Sequence, residues 1–296
     1  GPLRTVFRVE RTFSLPAAFD WHAWRRADEH TAVRVTDHLT VQKHSPCVHV
    51  RTEVQNTVKD HRMRVLFPTQ LLADASFAET PFAMVRRPID IPPETAHWQE
   101  RVNPETAFAT YFGIQGVQGG LAVLCPAGLH EYAVTGTPER VLALTLFRGF
   151  KQTVMTPGER DGQLLGDLEF EYLLYPFANA FDPVWAARWT ACAQAGTRSH
   201  STVADMAQES FLSLERSAVV TTAIKPSDDG EAGIVRLWNP TNRPQDDRIR
   251  VGVPVQAAHR CNLNEEAQEE IALDGDGVVP VHVRAGGLAT IRLAFG

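Results

Sequence analysis

Apolar and polar positions alternate along most of the chain, beginning with the first residues. Leu3, Phe7 and Val9 stand two or four positions apart, with Arg4 and Arg8 between them. This period of two predicts a β-strand with one buried face. Further strands are predicted at residues 32–42, 48–56, 62–68, 106–113, 120–125, 141–147 and 169–176. Many short strands separated by turn residues are typical of a β-sandwich.

A helix and a second group of strands follow. Asp182 can cap a helix that starts at Pro183 and ends near residue 196. The less regular stretch 197–215 is interpreted as a connector. Later strands are predicted at residues 219–223, 233–238, 248–253 and 289–295, with a turn at 274–277. We therefore expect an all-β protein with one or two short helices, in two domains, 1–215 and 216–296.

Composition and charge exclude several classes of partner. The 296 residues carry a net charge of -6, so nucleic acid is not expected as the main partner, because phosphate binding needs a basic face. No apolar run approaches the roughly 18 residues of a membrane helix, and charges within the first twenty residues argue against a signal peptide. Gly1-Pro2 is interpreted as the remnant of a tag on a fragment of a longer protein.

The four cysteines are widely spaced and form no CxxC pair. We expect four reduced thiols buried as small apolar residues, since neither a metal site nor a disulfide framework matches this spacing. Reduced thiols favour a cytoplasmic location.

The search for catalytic motifs gives little. The metalloprotease, P-loop, dinucleotide-binding and serine-hydrolase motifs do not occur in the sequence. His38, His44 and His49 lie close together but without the carboxylates of a metal site, and Glu169 and Glu171 are expected on a solvated strand face rather than as paired catalytic carboxylates. Four tryptophans could stack on sugar rings, although core positions are favoured for each: Trp21, Trp24, Trp98 and Trp238.

The densest polar run, Asn56 to Arg64, lies between two predicted strands. One interpretation places Asp60, His61 and Arg62 at a functional cleft. The other has Asn56 and Asp60 closing a tight turn while Arg62 and Arg64 pair with carboxylates. We favour the second, because Asn and Asp close turns with their own side chains.

This run resembles a motif in the C-terminal region of the family 38 glycoside hydrolases. Residues 60–69 read DHRMRVLFPT, where the family commonly reads DHRLRVLFPT. At position 130 a histidine replaces the family's usual proline. The resemblance keeps its order over nearly the whole chain, in blocks at residues 74–77, 85–89, 120–124, 128–134, 142–148, 156–158, 170–176, 222–230 and 235–240.

The resemblance implies a retaining α-mannosidase, or a related mannosyl-glycoside hydrolase, with a zinc ion in the full-length enzyme. In that family the zinc ligands and the nucleophilic aspartate lie in an N-terminal α/β domain and the helical segment after it. This chain matches none of those motifs, so no catalytic or metal residue is assigned to it and no cofactor is expected within it. The resemblance also implies a large galactose-mutarotase-like supersandwich followed by a small β-sandwich.

Three functions stay open. The leading hypothesis is a scaffold that partly walls the active site of an α-mannosidase acting on a mannose-containing glycan or glycoside, with the N-terminal catalytic domain missing from this chain. The alternatives are a stand-alone carbohydrate-binding module and a structural domain, with a homo-oligomer as a further expectation. Six residues are predicted to face a sugar, although salt bridges and core packing are the competing interpretation: Arg86, Arg87, His130, Glu131, Tyr132 and Arg148.

Overall fold

The structure is a computed structural model. It describes residues 1–100, 102–151, 158, 161–196, 210–275 and 277–296. Antiparallel strands make up most of it, which confirms the all-β class, while the galactose-mutarotase type of sandwich stays a prediction. The chain divides into two compact units, residues 1–78 with 86–181 and residues 79–85 with 182–296. The predicted domain boundary at residue 215 stays a prediction.

Twelve of the first fourteen strands form two main sheets. In chain order they are β1 (Arg4–Pro16), β2 (Phe19–Asp20), β3 (Arg25–Arg26), β4 (His30–Gln42), β5 (Val48–Asn56), β6 (Arg62–Pro68), β7 (Ala75–Thr80), β8 (Ala83–Pro88), β9 (Thr106–Ala107), β10 (Tyr111–Gly116), β11 (Gly119–Leu124), β12 (Glu131–Val134), β13 (Val141–Arg148) and β14 (Gly166–Phe177). One sheet has eight strands, β1-β4-β5-β14-β11-β10-β7-β8, and the other has four, β6-β13-β12-β9. Strands β2 and β3 form a separate hairpin. Short 3-10 helices cover Pro93–His97 and Asp161–Gln163.

The core of the first unit lies between these two sheets. Phe112 of β10 stacks on Tyr132 of β12, with ring centroids 4.5 Å apart and an angle of 21° between the planes. Leu142 and Leu144 of β13 are fully buried beside them. Burial of such side chains contributes roughly 1.5–3 kcal/mol each, so this layer of aromatic and aliphatic residues holds the two sheets face to face.

The single strand predicted at residues 106–113 is two strands. The chain pairs with β12 at β9, and it then crosses to the other sheet and pairs with β7 and β11 at β10. At the crossing, the N–H of Phe108 donates to the carbonyl of His130 at 3.0 Å, and Cys125 donates to Thr110 at 2.7 Å. The apolar pattern continues through the break because Phe108 and Phe112 contact each other in the core, 4.8 Å apart.

The second unit contains a helix and two further sheets. Helix α1 (Pro183–Ala195) begins at the predicted cap, where Oδ1 of Asp182 accepts hydrogen bonds from the N–H groups of Val184 and Trp185 at 2.9 and 3.1 Å. The strands are β15 (Leu212–Leu214), β16 (Val220–Pro226), β17 (Gly233–Trp238), β18 (Gln245–Val251), β19 (Val255–Cys261), β20 (Ala267–Ile271), β21 (Val279–Val283) and β22 (Leu288–Phe295). They form sheets β15-β18-β21 and β16-β17-β22-β19-β20. Most of the connector predicted at 197–215 lies outside the described residues, and its end contains β15.

The side chain of Asn239, directly after β17, stabilises a turn in the second unit through hydrogen bonds to backbone groups. Its side chain is fully buried, and its Nδ2 donates to the carbonyls of Arg243, Val283 and Arg284 at 2.7, 3.1 and 3.1 Å. Its Oδ1 accepts from the N–H and the hydroxyl of Thr241 at 3.0 and 2.7 Å. One buried amide therefore satisfies backbone groups on both sides of the turn after β17 and at the end of β21.

We expect the substitution Asn239→Ala to lower the free energy of unfolding by about 2–3 kcal/mol, because it removes a buried amide that donates to the carbonyl of Val283, which is buried, and to those of Arg243 and Arg284, which are partly buried. Chemical denaturation of the 296-residue chain measures this change. The matched control is Asn264→Ala at an exposed turn position, which should shift stability by less than about 0.5 kcal/mol. Equal losses in the two variants would show that the buried amide is not the anchor.

Candidate functional site

Charged side chains gather on the outer face of the four-stranded sheet. We call this set the outer-face network, and it consists of Arg62, Arg64, Glu105, Glu131, Thr145 and Arg148. It follows from strand alternation: along β6, the arginines and Leu66 are exposed, while Met63, Val65 and Phe67 are less exposed and pack against the core. Register then places Arg64 opposite Thr145 and Arg62 opposite Arg148.

A β-bulge brings Arg148 to this outer face. The register between β13 and β6 shifts between Thr145 and Phe147, which adds one residue to β13. Leu146 and Phe147 are consequently both buried in the core. In a regular strand, Arg148 would lie on the face opposite Thr145. With the bulge, the two side chains contact the same carboxylate, that of Glu131.

Two carboxylates hold the three guanidinium groups of the network. Oε1 of Glu131 accepts from the Thr145 hydroxyl at 2.7 Å and from Nε of Arg148 at 3.3 Å, and its Oε2 accepts from Nη2 of Arg148. Oε1 of Glu105 accepts from Nη1 of Arg62 at 2.6 Å and lies 3.4 Å from Nη1 of Arg64. Arg62 also lies 3.8 Å from Glu131, which joins both groups into one network with a surplus positive charge.

Glu105 is ionised within this network. Burial acts to raise the pKa of its carboxyl group, but the hydrogen bond and charge of Arg62, together with the charge of Arg64, outweigh burial and lower it. Sequence reasoning assigned carboxylate partners to Arg62 and Arg64, and this is confirmed, but it did not identify Glu105. The available signal was the turn Asn103-Pro104 just before β9, where Oδ1 of Asn103 accepts from the N–H of Glu105 at 3.1 Å.

The six residues predicted to face a sugar lie in different surroundings. Glu131 and Arg148 belong to the outer-face network. Tyr132 points the opposite way into the core, and its hydroxyl lies 3.0 Å from Oγ of Ser76 and 3.4 Å from Nη1 of Arg87. Arg86 and His130 are exposed, and Arg86 lies 3.9 Å from Asp74. Sugar contact by each of the six stays a prediction.

The interpretation favoured from sequence is confirmed for Asn56, which closes the start of the polar run after β5 with its own side chain, but not for Asp60, whose side chain bonds Gln163 instead. Oδ1 of Asn56 accepts from the N–H of Val58 at 3.2 Å. Asp60 has a positive φ of 54°, a conformation that Asp tolerates better than most residues. Its N–H donates to Oε1 of Gln163 at 2.8 Å, and its Oδ1 accepts from Nε2 of the same glutamine at 2.9 Å.

A pocket of about 920 Å³ opens beside this turn. We call it the hairpin pocket, because Phe19 and Trp21 from the β2–β3 hairpin form part of its wall. Phe19, Trp21 and Trp24 contact one another edge to face, with centroids 5.0–5.7 Å apart. Charged and polar groups form the rest of the wall, together with leucines: Lys59, Asp60, Lys151, Gly158, Asp161, Gln163, Leu164, Leu165 and Leu168. Aromatic faces beside polar groups are a combination that suits sugar rings.

The core positions favoured for the tryptophans are wrong for three of the four. Trp21 is 38% exposed, Trp24 is 72% exposed and Trp98 is 53% exposed, since the β2–β3 hairpin and the segment after the 3-10 helix at Pro93–His97 are too short to cover them. Trp238 is buried, and its Nε1 donates to the carbonyl of Phe82 at 2.7 Å.

The three closely spaced histidines do not converge. His38 lies 3.8 Å from Glu53 and His49 lies 3.7 Å from Glu171, whereas His44 occupies the turn after β4 with a positive φ of 67°. Within the described part of the chain, no three of the residue types His, Cys, Asp and Glu come together as metal ligands. These residues therefore do not fit the zinc ion that the family resemblance implies.

The helices of the described residues include none long and apolar enough to cross a bilayer. All four cysteines are free. Cys47, Cys125 and Cys261 are buried, but the burial expected for Cys192 is wrong, because it lies on an exposed position of helix α1.

The side chain of His61, next to Asp60, has no hydrogen-bond partner among the described residues. Both of its ring nitrogens are buried without a hydrogen-bond partner, and its ring packs edge to face against Phe147, 5.2 Å away. Burial, and then the nearby charge of Arg26, lower the pKa of His61 below its ordinary value, and Asp60 opposes them. The imidazole is therefore neutral at pH 7.

We expect His61 to make the chain less stable as the pH falls below about 6.5, the ordinary pKa of histidine. Below that pH the unfolded state binds a proton at this site more readily than the folded state, so stability is lost as pH falls toward the lowered folded pKa. Urea denaturation from pH 8 to pH 5 measures this, and His61→Gln should show a smaller loss than the native chain. His130→Gln, at an exposed histidine, is the control; an unchanged pH dependence in His61→Gln would contradict the assignment.

Comparison with known proteins places this arrangement in a family. The model described as "Glycosyl hydrolases family 38 C-terminal domain" matches residues 2–155, and the model described as "Glycosyl hydrolases family 38 C-terminal beta sandwich domain" matches residues 218–290. A "Putative mannosylglycerate hydrolase" of Halalkalibacterium halodurans is 26% identical over 98% of this chain.

Two solved structures share the fold. An alpha-mannosidase from Enterococcus faecalis V583 superposes with a TM-score of 0.83 over 98% of this chain, at 21% identity. A glycosyl hydrolase family 38 protein from Enterococcus faecalis gives a TM-score of 0.79 over 98%, also at 21% identity. The chain spans 33–35% of the length of these three proteins. It belongs to glycosyl hydrolase family 38 and matches the C-terminal domains of that family.

Proposed function

We propose that this chain is the C-terminal, carbohydrate-facing scaffold of an α-mannosidase-type glycoside hydrolase. The single observation that carries this proposal is the match to both C-terminal domains of family 38, in order, over most of the chain. Because the chain spans about a third of its relatives' length, the activity of a whole enzyme is part of the proposal. Retaining hydrolysis with a zinc ion would depend on an N-terminal catalytic domain outside these residues.

A mannose-containing glycan or glycoside is the proposed substrate. The names of two similar proteins support it, one an alpha-mannosidase and the other a mannosylglycerate hydrolase. The outer-face network offers what recognition of such a substrate needs, because guanidinium groups held by carboxylates present several N–H donors in a fixed geometry. Networks of this kind bind hydroxyl and carboxylate oxygens with little loss of side-chain entropy.

Within the scaffold, the residues proposed to approach the sugar are those predicted from sequence. Glu131 and Arg148 have the strongest support, because they are fixed in the outer-face network and Arg148 stays about half exposed. Arg86 and His130 are exposed and free to reach a ligand. Tyr132 is buried, so it would act through Arg87, which its hydroxyl contacts.

The hairpin pocket favours a second candidate, a stand-alone carbohydrate-binding module. Trp21 and Trp24 are both partly exposed next to it, and stacking on an exposed indole is a common way to bind sugars. A cytoplasmic location and a homo-oligomer are further parts of the proposal; the free cysteines support the first and exposed apolar residues such as Phe7 support the second.

We expect the 296-residue chain alone to release no 4-nitrophenol from an aryl α-mannoside, with or without added zinc, since its described residues assemble no metal site. A spectrophotometric assay measures this, with a full-length family 38 α-mannosidase as the positive control. Two results together would overturn the scaffold proposal. Zinc-dependent turnover would have to persist through repeated purification, and its rate would have to change in the variant Glu131→Gln.

Calorimetry separates the two candidate functions. We expect no saturable heat when mannose or short manno-oligosaccharides are titrated into the chain, because a scaffold needs the catalytic domain to complete its sugar site. The carbohydrate-binding module would be favoured by millimolar or tighter binding that disappears in Trp24→Ala. The control is Trp98→Ala, which removes another exposed tryptophan away from the hairpin pocket and should leave such binding intact.

A further inference from the structure

The two sheets of the first unit differ in size, and the smaller one ends abruptly. Eight strands face four. The four-stranded sheet ends at β6, and no strand lies beyond it among the described residues. A strand at such an edge leaves a row of backbone N–H and C=O groups unpaired, which makes it a template for a further strand.

A cleft of about 710 Å³ lies along this edge. We call it the inter-sheet cleft. Its walls come from both sheets and are largely apolar: Phe13, Leu15, Val35, Leu39, Val50, Met63, Val65, Phe67, Leu146 and Leu174. Some of this surface is open, because Phe13 on β1 is 41% exposed. Where sheets pack face to face, residues of this kind are ordinarily covered by a facing strand.

On one wall of the cleft, four polar side chains are joined by hydrogen bonds and short contacts. Nη1 of Arg11 lies 2.5 Å from Oδ2 of Asp37, and the Thr52 hydroxyl donates to Oδ1 of Asp37 at 2.6 Å. The hydroxyl of Tyr172 lies 3.4 Å from that of Thr52, and burial raises the pKa of Tyr172 to about 12. These groups already bond to one another, so an occupant of the cleft can be apolar on its inner face.

The outer face of β6 at the same edge is positively charged, in contrast to the apolar walls of the cleft. Arg62 and Arg64 project there beside exposed Leu66. With Arg148 they contribute three positive charges against the two of Glu105 and Glu131. Opposite charges directly across a pair of strands are stabilising, and like charges are destabilising, so this rim selects acidic side chains.

We infer that β6 receives an added β-strand from a polypeptide segment outside residues 1–296, apolar on its inner face and acidic on its outer face. Backbone pairing with β6 would provide affinity, and the alternating side chains would provide specificity. The similar proteins extend well beyond the region they share with this chain, which covers 33–35% of their length. The inference does not depend on the proposed substrate.

A second copy of this chain fits the edge less well. Its long outer strand β1 is the obvious donor, because it also lies at a sheet edge. Yet β1 carries Arg4, Arg8 and Arg11 against the single Glu10, which would set positive charges near Arg62 and Arg64.

Two synthetic peptides as long as β6 test this inference. One alternates valine with glutamate and the other alternates valine with lysine, and both have blocked ends. We expect the acidic peptide to bind at least about tenfold more tightly, which corresponds to the combined effect of a few cross-strand charge pairs. We also expect it to slow deuterium exchange of the β6 amides, measured by mass spectrometry.

The variant Arg64→Glu should remove or reverse the preference for the acidic peptide. The control Arg34→Glu places the same change on β4, outside the inter-sheet cleft, and should leave the preference intact. If Arg64→Glu does not fold, the relative affinities of the two peptides for the native chain still test whether β6 prefers an acidic strand. Equal binding of both peptides, no protection of β6, or a dimer with protected β6 in light scattering and exchange would overturn the inference.

Discussion

The stack of Phe112 on Tyr132 is the contact on which the first unit depends. Phe112 belongs to the eight-stranded sheet and Tyr132 to the four-stranded one, so this pair helps to fix the distance and the rotation of one sheet over the other. Because successive side chains on a strand point to opposite faces, a buried Tyr132 obliges its neighbour Glu131 to face outward. The charged network on the outer surface is therefore a consequence of core packing.

Much of the fold follows from local patterns in the sequence. Strands β5 and β6 and helix α1 have the bounds or nearly the bounds that alternation and capping predict. The pattern fails where the chain changes sheets without interrupting its apolar spacing, as between β9 and β10, because periodicity reports burial and not the sheet to which a strand belongs. Short strands such as β2 and β3 contain too few residues to show any period.

The candidate site was harder to predict than the fold. Alternation indicates that Arg62 and Arg64 share a face, but their partner Glu105 lies about forty positions away in sequence, and only tertiary packing joins them. Arg148 was chosen for its chemistry and its place near a turn, yet its orientation depends on a bulge that no sequence motif marked. Tyr132 is predicted on the same grounds, yet it is buried, because its ring packs in the core between the two sheets.

The bulge in β13 makes the chemistry of this surface sensitive to chain length. One inserted residue sets the phase of everything that follows it in the strand. If the same residues paired in regular register without the bulge, the guanidinium group of Arg148 would point into an aromatic core and Phe147 would point into water, although every amino-acid type stayed the same. A homologue with one residue fewer at this point would need no bulge to keep the side chains corresponding to Thr145 and Arg148 on one face, so strand length and bulge together decide which residues form this surface.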